Sequence, residues 1–563
     1  MKRSERQSRA LRILAVATAI LLVIPNILLI FADHQSFIAG VLSVLFPFSA
    51  YLLIIALWKR TGRGVLCTIP FMILGAFQIV LLYLYGESII AVDMFINVVT
   101  TDVQEASTLL EQLLPAIFTV IVIYLPPLTW AIISLISKRP TINHYSRLLL
   151  IYWSSILFLI SGVLLLVCSL TKLVVPGNDI FPINVIRNIT IAVQRVRESN
   201  RYPDSAKDYT FNATLRPEIA ATDTTGRIIV AVIGETARAD RWQLYGFDRN
   251  TNPRLSQREG IVTMKKSVSQ SNTTHKSVPM MLTPLNAETF KQLPHTKSLI
   301  TAFKEAGYST AYFSNQPPNG SYNQHIGEEA DTTFFFERKM GVKEKDVELA
   351  KLASQWLAQD TSLHQLIVLH TYGAHFPYTD HYTSDQAPFQ PDSPLSAKSS
   401  NRESLYNAYD NATVAVDLAI DSLISVLSAQ NRPAALIYAA DHGEDIFDDT
   451  REKFLHASPI PTAWQLYVPM IVWTTPGLLP NKTMQSLYKN ADIVQSPSET
   501  FFHTALDLGG ISTSVFRNDK SLLSDSLSSY PLLYLTDRNQ SVPLDESGLR
   551  ESDLQKLAGW GIK

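Results

Sequence analysis

The sequence predicts two structural classes in one chain: an α-helical membrane domain with five transmembrane helices, then a soluble α/β domain on a mainly parallel central sheet. Three observations predict it. The longest apolar runs lie before about residue 170. Lys and Arg fill every second loop between those runs and are missing from the others. From Arg227 onward, short β-branched runs alternate with amphipathic, helix-like segments, the pattern of a buried parallel sheet.

Crossing roughly 30 Å of hydrocarbon takes about 20 apolar residues. Five stretches meet that length: Leu11–Phe31, Phe37–Trp58, Val65–Tyr85, Leu114–Ile136 and Leu148–Leu170. Pro25, Pro47 and Pro126–Pro127 fall inside three of them, which membrane helices tolerate because neighbours re-satisfy the freed carbonyls. The first stretch reads as a retained span rather than a signal peptide: its apolar region is long and no small-residue cleavage site is evident. Basic residues occupy the N-terminus (Lys2, Arg3, Arg6, Arg9, Arg12), the second loop (Lys59, Arg60, Arg63) and the fourth (Lys138, Arg139, Arg147). The loops around Asp33 and from Glu87 to Glu111 carry neither Lys nor Arg. The three basic segments are therefore expected on the cytoplasmic side, and an odd number of spans places everything after Leu170 outside.

Ile183–Val196 has apolar residues near helical spacing with Arg187, Arg195 and Arg197 among or beside them. Such a helix lies on a membrane–water interface or packs on the soluble domain. The stretch from Arg201 to Thr225 is polar and reads as a linker. The expected domains are 1–170, 171–226 and 227–563. The net charge of -2 gives no global basic field, which argues against nucleic acid as a partner. Cys67 and Cys168, the only cysteines, sit in apolar runs and read as buried side chains, not a disulfide or a metal site.

In the soluble part, RIIVAVIGE, STAYFSNQ, QLIVLH and AALIYAADHGE each end a strand-like run in polar residues. The carboxyl ends of such strands are where open α/β sheets place their sites. Glu235 follows the first run and is either a divalent-cation ligand or an acid capping the next helix. Asp441-His442 follows the last and offers one hard oxygen and one imidazole nitrogen, a mixture zinc accepts, or makes an ordinary turn. The segment SVSQSNTTHKSVPMML holds many hydroxyls, any of which becomes a nucleophile only when a metal or base takes its proton. His375 in HTYGAHFPY and His456 in KFLHAS are equally consistent with surface histidines.

The order Glu235, Thr274, His375, Asp441-His442, His456 resembles the lipid A and lipopolysaccharide-core phosphoethanolamine transferases, within the alkaline phosphatase and sulfatase superfamily. The resemblance runs over nearly the whole chain. VIGETARADRWQLYGFDRNTNPRL is similar to that family's first metal-binding motif, and YAADHGE to its second. Thr274 stands before Ser277-Val278-Pro279 as the family's nucleophile does, with Thr273 the rival. DHGEDIFDD followed by VPMIVWTTP looks most like the core-modifying branch.

The resemblance implies a sulfatase-like fold for the soluble domain. It implies an inner-membrane enzyme with a cytoplasmic N-terminus and a periplasmic catalytic domain. Glu235, Thr274, Asp441 and His442 would hold zinc, one ion or two. Thr274 would attack phosphatidylethanolamine, and the phosphoethanolamine carried on it would pass to lipid A or lipopolysaccharide core in a second displacement. His375 and His456 would serve proton transfer, phosphate contact or a second zinc. The chain also departs from the pattern. Gln270 and Met280 stand where many relatives have the cysteines flanking the nucleophile loop, so that loop is expected to be held by packing alone. The segment SNQPPNGSYNQHIGE lacks the Lys of some relatives, leaving His325 as a candidate substitute.

A phosphoglycerol transferase of the lipoteichoic acid synthase kind shares the five-span plan, and the VIGETARADRWQLYGF stretch argues against it. Sulfatase activity would need a Cys or Ser in a C/S-x-P-x-R context, and the soluble part has no Cys. A catalytically inactive envelope-assembly or sensor protein is disfavoured by an intact Glu235, Thr274, Asp441 and His442.

Overall fold

The computed structural model describes residues 2–32, 35–85, 90–100, 113–136, 142–336, 346–394 and 396–562. Asp33, Lys138, Arg139 and most of the Glu87–Glu111 loop, used above for orientation, lie outside them. The chain divides into two compact units: Met1–Phe95 with Ser107–Val193, and Ile96–Ala106 with Gln194–Lys563.

The first unit contains the five apolar helices. The first span, Glu5–Ala32, is built from Lys2–Leu22 and Ile24–Ala32, with the break just before Pro25, where the ring cannot continue the hydrogen-bond ladder. Phe37–Leu57, Leu114–Ile136 and His144–Leu170 are each long enough to cross a membrane. Ile69–Tyr85 is shorter, because a separate helix, Thr61–Leu66, takes up the start of the predicted third span. Asn26 is buried among them, and its amide donates to the carbonyls of Ser43 and Phe181, both at 2.7 Å. Without those partners a buried amide would be costly in an apolar unit.

The second unit is organised by a seven-stranded sheet. Its strands are β1 (Ile228–Gly234), β2 (Ile261–Thr263), β3 (Ser309–Ser314), β4 (Thr332–Phe335), β5 (Gln365–His370), β6 (Ala434–Ala440) and β7 (Met470–Thr474). The spatial order is β2-β7-β6-β1-β5-β3-β4. Strands β6, β1, β5, β3 and β4 run parallel, and β7 and β2 extend one edge antiparallel. The four polar-ended runs are thus four adjacent parallel strands. Both faces of the sheet are covered, which is why β1 reads as an unbroken apolar run and not an alternating one. Ile229, Ala231 and Ile233 pack with Val278, Met281 and Phe501; Ile228, Val230 and Val232 pack with Trp242, Leu349 and Leu423.

The helix Arg402–Ser428, within the second unit, is also long and apolar enough to span a membrane by composition. It is instead a packed helix with an acidic seam. Asp410, Asp417 and Asp421, spaced seven and four apart on one face, take up the segment that follows Glu235. Arg241 and Arg249 bond Asp410, the backbone amides of Arg254 and Leu255 bond Asp417, and Arg258 bonds Asp421.

The stretch expected to be a linker is structured. The helix beginning at Ile183 runs on to Ser205, Thr214–Leu215 pairs with Ile511–Ser512, and Pro217–Thr222 forms another helix turn. Tyr202, Ala206, Phe211 and Ala213 are buried in the core of the second unit. Tyr202 and Ala206 stand four apart and Phe211 and Ala213 two apart, runs too short to show as a period among their polar neighbours. Glu305 fixes the turn by accepting the amides of Phe211 and Ala213 at 3.0 and 2.9 Å.

Buried His503 accepts the Arg517 amide on Nδ1 at 3.2 Å, a bond that requires the neutral ring. Burial, with the Arg517 charge beside it, pushes its pKa from 6.5 down to about 4. The unfolded chain therefore binds the extra proton between those values, and stability falls as pH drops through that window. Full-length protein in detergent should lose up to about 3 kcal/mol more between pH 7 and pH 4 than the His503→Gln variant does. Parallel denaturation curves at both pH values would contradict this.

Candidate metal centre and nucleophile

The register of two neighbouring strands builds the site. Gly234, the last residue of β1, lies opposite Ala440, the last of β6. The next residues, Glu235 and Asp441, therefore leave the sheet side by side. Gly234 is required here: a Cβ would collide with the ring and hydroxyl of Tyr438, which is fully buried and stacked on Trp242. Thr236 follows with φ +57°, a left-handed conformation that costs a β-branched residue on the order of 1–3 kcal/mol. In that conformation its amide donates to Asp441 Oδ1 at 3.1 Å and its hydroxyl to Glu235 Oε1 at 3.1 Å. One residue ties both carboxylates.

Ligand atoms of Glu235, Asp441 and His442 all lie within 4.8 Å of one another, and all three residues are buried. The third strand end in the row adds His370, the last residue of β5, whose Nε2 lies 3.5 Å from Glu235 Oε2. His442 Nδ1 faces the Gly443 carbonyl at 2.9 Å. Burial, then the neighbouring His456, pushes its pKa down to about 3, so the ring is neutral. With the proton on Nδ1, the lone pair of Nε2 points into the site, as a metal-binding imidazole requires.

Thr274 opens the helix Thr274–Leu282, with Thr273 at the N-cap. Its Oγ1 lies 2.8 Å from Glu235 Oε1 and 3.1 Å from His442 Nε2. The dipole of that helix start favours negative charge at Thr274. Thr273 is turned away, its Oγ1 3.2 Å from the Ser271 hydroxyl.

The electrostatics of the pair are uneven. Burial and the adjacent Glu235 charge hold Asp441 well above the usual carboxylate range. Burial also works against ionising Glu235, but the hydrogen bond from His370 outweighs it and holds Glu235 low. Asp441 Oδ2 is buried with no hydrogen-bond partner, 3.2 Å from His442 Nε2. Two close carboxylates, an orphaned oxygen and a neutral imidazole suit a divalent cation. Oxygen and imidazole donors together fit zinc.

His375 and His456 come to the same place. The His456 ring is 4.3 Å from that of His442 and 5.2 Å from that of His375. Glu444, quoted in the motif but given no role from sequence, is fully buried beside them, with His456 Nδ1 3.5 Å from its Oε2. Burial pushes Glu444 up to about 8. The loop after β3 contributes Gln316 to the carboxylate pair: its amide donates to Glu235 Oε2 at 2.8 Å. His325 instead pairs with Glu328 and stacks on Tyr202. Neither Gln316 nor His370 carries a sequence signal beyond its place at a strand end.

The nucleophile loop is not held by packing alone. Met280 is packed in an apolar cluster, but the buried Gln270 donates to Glu499 at 3.0 Å and accepts the Ala287 amide at 2.8 Å. Glu499 also accepts from Asn286 and Lys520. A polar side chain without a periodic pattern gives no hint of a partner more than 200 residues away, so the sequence could not show this clamp.

A family model for sulfatases matches residues 227–511. The chain belongs to the sulfatase family. The chain is similar to the Kdo(2)-lipid A phosphoethanolamine 7''-transferase of Escherichia coli K12, 28% identical over 340 residues, 57% of each chain. It is also similar to the phosphoethanolamine transferase EptC of the same strain, 26% identical over 331 residues, 56% of each. The chain thus spans a little over half the length of the curated relatives it matches. Among solved structures, the C-terminal periplasmic domain of E. coli EptC, in complex with Zn, is 25% identical with a TM-score of 0.52, covering 59% of this chain and 96% of that one. The full-length integral membrane EptA of Neisseria meningitidis, 20% identical, shares the fold with a TM-score of 0.68, over 91% and 97% of the two chains.

Gly234→Ala should lower zinc affinity at least tenfold and cost about 1–3 kcal/mol, because the added methyl forces Glu235 and Tyr438 apart. A zinc titration that matches wild type would show that the strand end accommodates it.

Proposed function

We propose that this chain is an inner-membrane enzyme that transfers phosphoethanolamine from phosphatidylethanolamine to lipid A or lipopolysaccharide core. Its N-terminus is cytoplasmic and its catalytic domain periplasmic. The observation that carries the reading is the Thr274 hydroxyl at a helix start, in hydrogen-bond contact with two members of a buried three-residue metal cluster. Relatives named as phosphoethanolamine transferases supply the cargo.

Glu235, Asp441, His442 and Thr274 would hold zinc, which when bound supplies Lewis-acid polarisation of the phosphoryl group and a lowered hydroxyl pKa. Glu235 Oε1, 2.8 Å from Thr274 Oγ1, is placed to draw its proton, while the lone pair of His442 Nε2 is kept for the metal. Oγ1 then attacks phosphorus, the bond to the glycerol oxygen breaks, and diacylglycerol departs with a proton from His375 or His456. An acceptor hydroxyl or phosphate oxygen then attacks phosphorus, a hydroxyl giving its proton to the histidine that lost one in the first step; the bond from phosphorus to Oγ1 breaks, and Oγ1 takes back the proton it gave up. Splitting the transfer this way makes the enzyme ping-pong. His375 and His456 serve proton transfer, phosphate contact or a second zinc.

Thr274→Ala should abolish transfer in a glycolipid mass-spectrometry assay while leaving the protein folded and membrane-inserted. Normal modification by that variant would move the nucleophile to Thr273. Chelation should remove activity and lower the melting temperature together, because the paired carboxylates lose their counter-charge. A fully active metal-free preparation would end the zinc mechanism.

A further inference from the structure

Three loops must meet for the proposed site to exist: the one ending at Thr274, the one carrying Asp441 and His442, and the one carrying His456. A single buried amide touches all three. Gln465 lies in the short helix Ala463–Leu466 and is fully buried. Its Oε1 accepts from Asn272 Nδ2 at 2.7 Å, two residues before Thr274. Its Nε2 donates to Asp445 Oδ2 at 2.7 Å, three residues after His442, and lies 3.0 Å from the Ser458 hydroxyl, two residues after His456. Its backbone carbonyl accepts the Gly443 amide at 2.8 Å.

The orientation of the amide is dictated by its partners. Asp445 Oδ1 already accepts from Thr462 at 2.6 Å, and the other carboxylate oxygen needs a donor, so Nε2 must face it. Oε1 is then left for Asn272, whose own Oδ1 is filled by the Tyr534 hydroxyl at 2.9 Å. The Asn272 side-chain amide donates to the Ser458 carbonyl at 2.8 Å, and the backbone carbonyl of Asn272 accepts the Ala457 amide at 3.1 Å. Leu455 and Ala457, flanking His456, both hold positive φ, +70° and +60°, strain that only such cross-bracing sustains.

We infer that Gln465 is a positioning residue for the transfer site, setting the nucleophile loop, the zinc-ligand loop and the His456 loop in mutual register through its directional pairing with Asn272 and Asp445. This rests on the function proposed above. The residue touches neither donor nor metal, so its effect falls on turnover and metal affinity and spares donor KM.

Two variants of the full-length protein test it. Gln465→Met keeps the volume and removes every polar contact of the side chain. The exchange pair Gln465→Glu with Asp445→Asn keeps net charge and keeps the bond between the two positions with donor and acceptor reversed. The carboxylate it places at position 465 still accepts from Asn272, and now accepts from the amide it places at position 445. Zinc affinity is measured by chelator competition, and kcat and KM on phosphatidylethanolamine in mixed micelles. Gln465→Met should lose at least tenfold in zinc affinity and about a hundredfold in kcat, with KM within twofold. The exchange pair should stay within threefold of wild type in both. Should Gln465→Met not fold, Gln465→Asn, one methylene short, replaces it under the same criteria. Wild-type values for Gln465→Met, or an exchange pair no better than it, would overturn the assignment. If wild type shows no turnover on this donor, the function reading fails and the zinc affinities alone decide the role of Gln465.

Discussion

Two carboxylates that cannot comfortably share a dry space are the constraint around which the catalytic unit is built. Glu235 and Asp441 leave the sheet together because β1 and β6 are parallel neighbours in a register that ends both at the same level. Buried so close, they raise each other's cost of ionisation, and only part of that cost is met by protein groups. His370 and Gln316 serve one oxygen of Glu235, Thr236 and the His442 amide serve one oxygen of Asp441, and Asp441 Oδ2 is left over. A cation at that oxygen resolves the conflict and, in the proposed reading, activates the nearby hydroxyl.

Holding such a centre takes rigid surroundings, and the fold supplies them as ionic and amide braces in place of cross-links. The fully buried Arg238 pairs with Asp240 and Asp448 and donates to the Glu444 carbonyl, joining the loops after β1 and β6. The segment beyond it is strapped to the Arg402–Ser428 helix by the acidic seam at Asp410, Asp417 and Asp421. Breaking one partner of a buried pair leaves an uncompensated charge, which makes these braces specific as well as strong. Gly373 shows how tight the packing is: with φ +59°, its missing side chain leaves room for the Glu235 backbone.

The membrane unit solves the opposite problem, holding helices together where burial in an apolar medium supplies little drive. It uses backbone-directed amides, Asn26 to Ser43 and Phe181 and Asn188 to Ile90, so that these buried amides are also fasteners. Arg402–Ser428 matches these helices in length and apolar composition, since a helix buried in a soluble core and one immersed in lipid are alike in hydropathy. Its buried, Arg-paired aspartates tell the two apart.

By itself the sequence determined the elements whose signals are local. Apolar length set the five helices, short apolar runs set four parallel strands, and polar residues at their ends marked Glu235, Asp441 and His442. Thr274, His375 and His456 were legible only through motif order, since a lone hydroxyl or imidazole carries no periodicity. Tertiary structure alone decided what depends on distance through space. It turned Thr274 and not Thr273 toward the carboxylates, brought Gln316 to Glu235, and gave the expected linker a place in the core. It also brought Gln270 to Glu499 and Gln465 to Asn272 and Asp445. An amide's choice of partner is fixed by hydrogen-bond geometry between segments far apart in the chain, and no spacing along the chain encodes it.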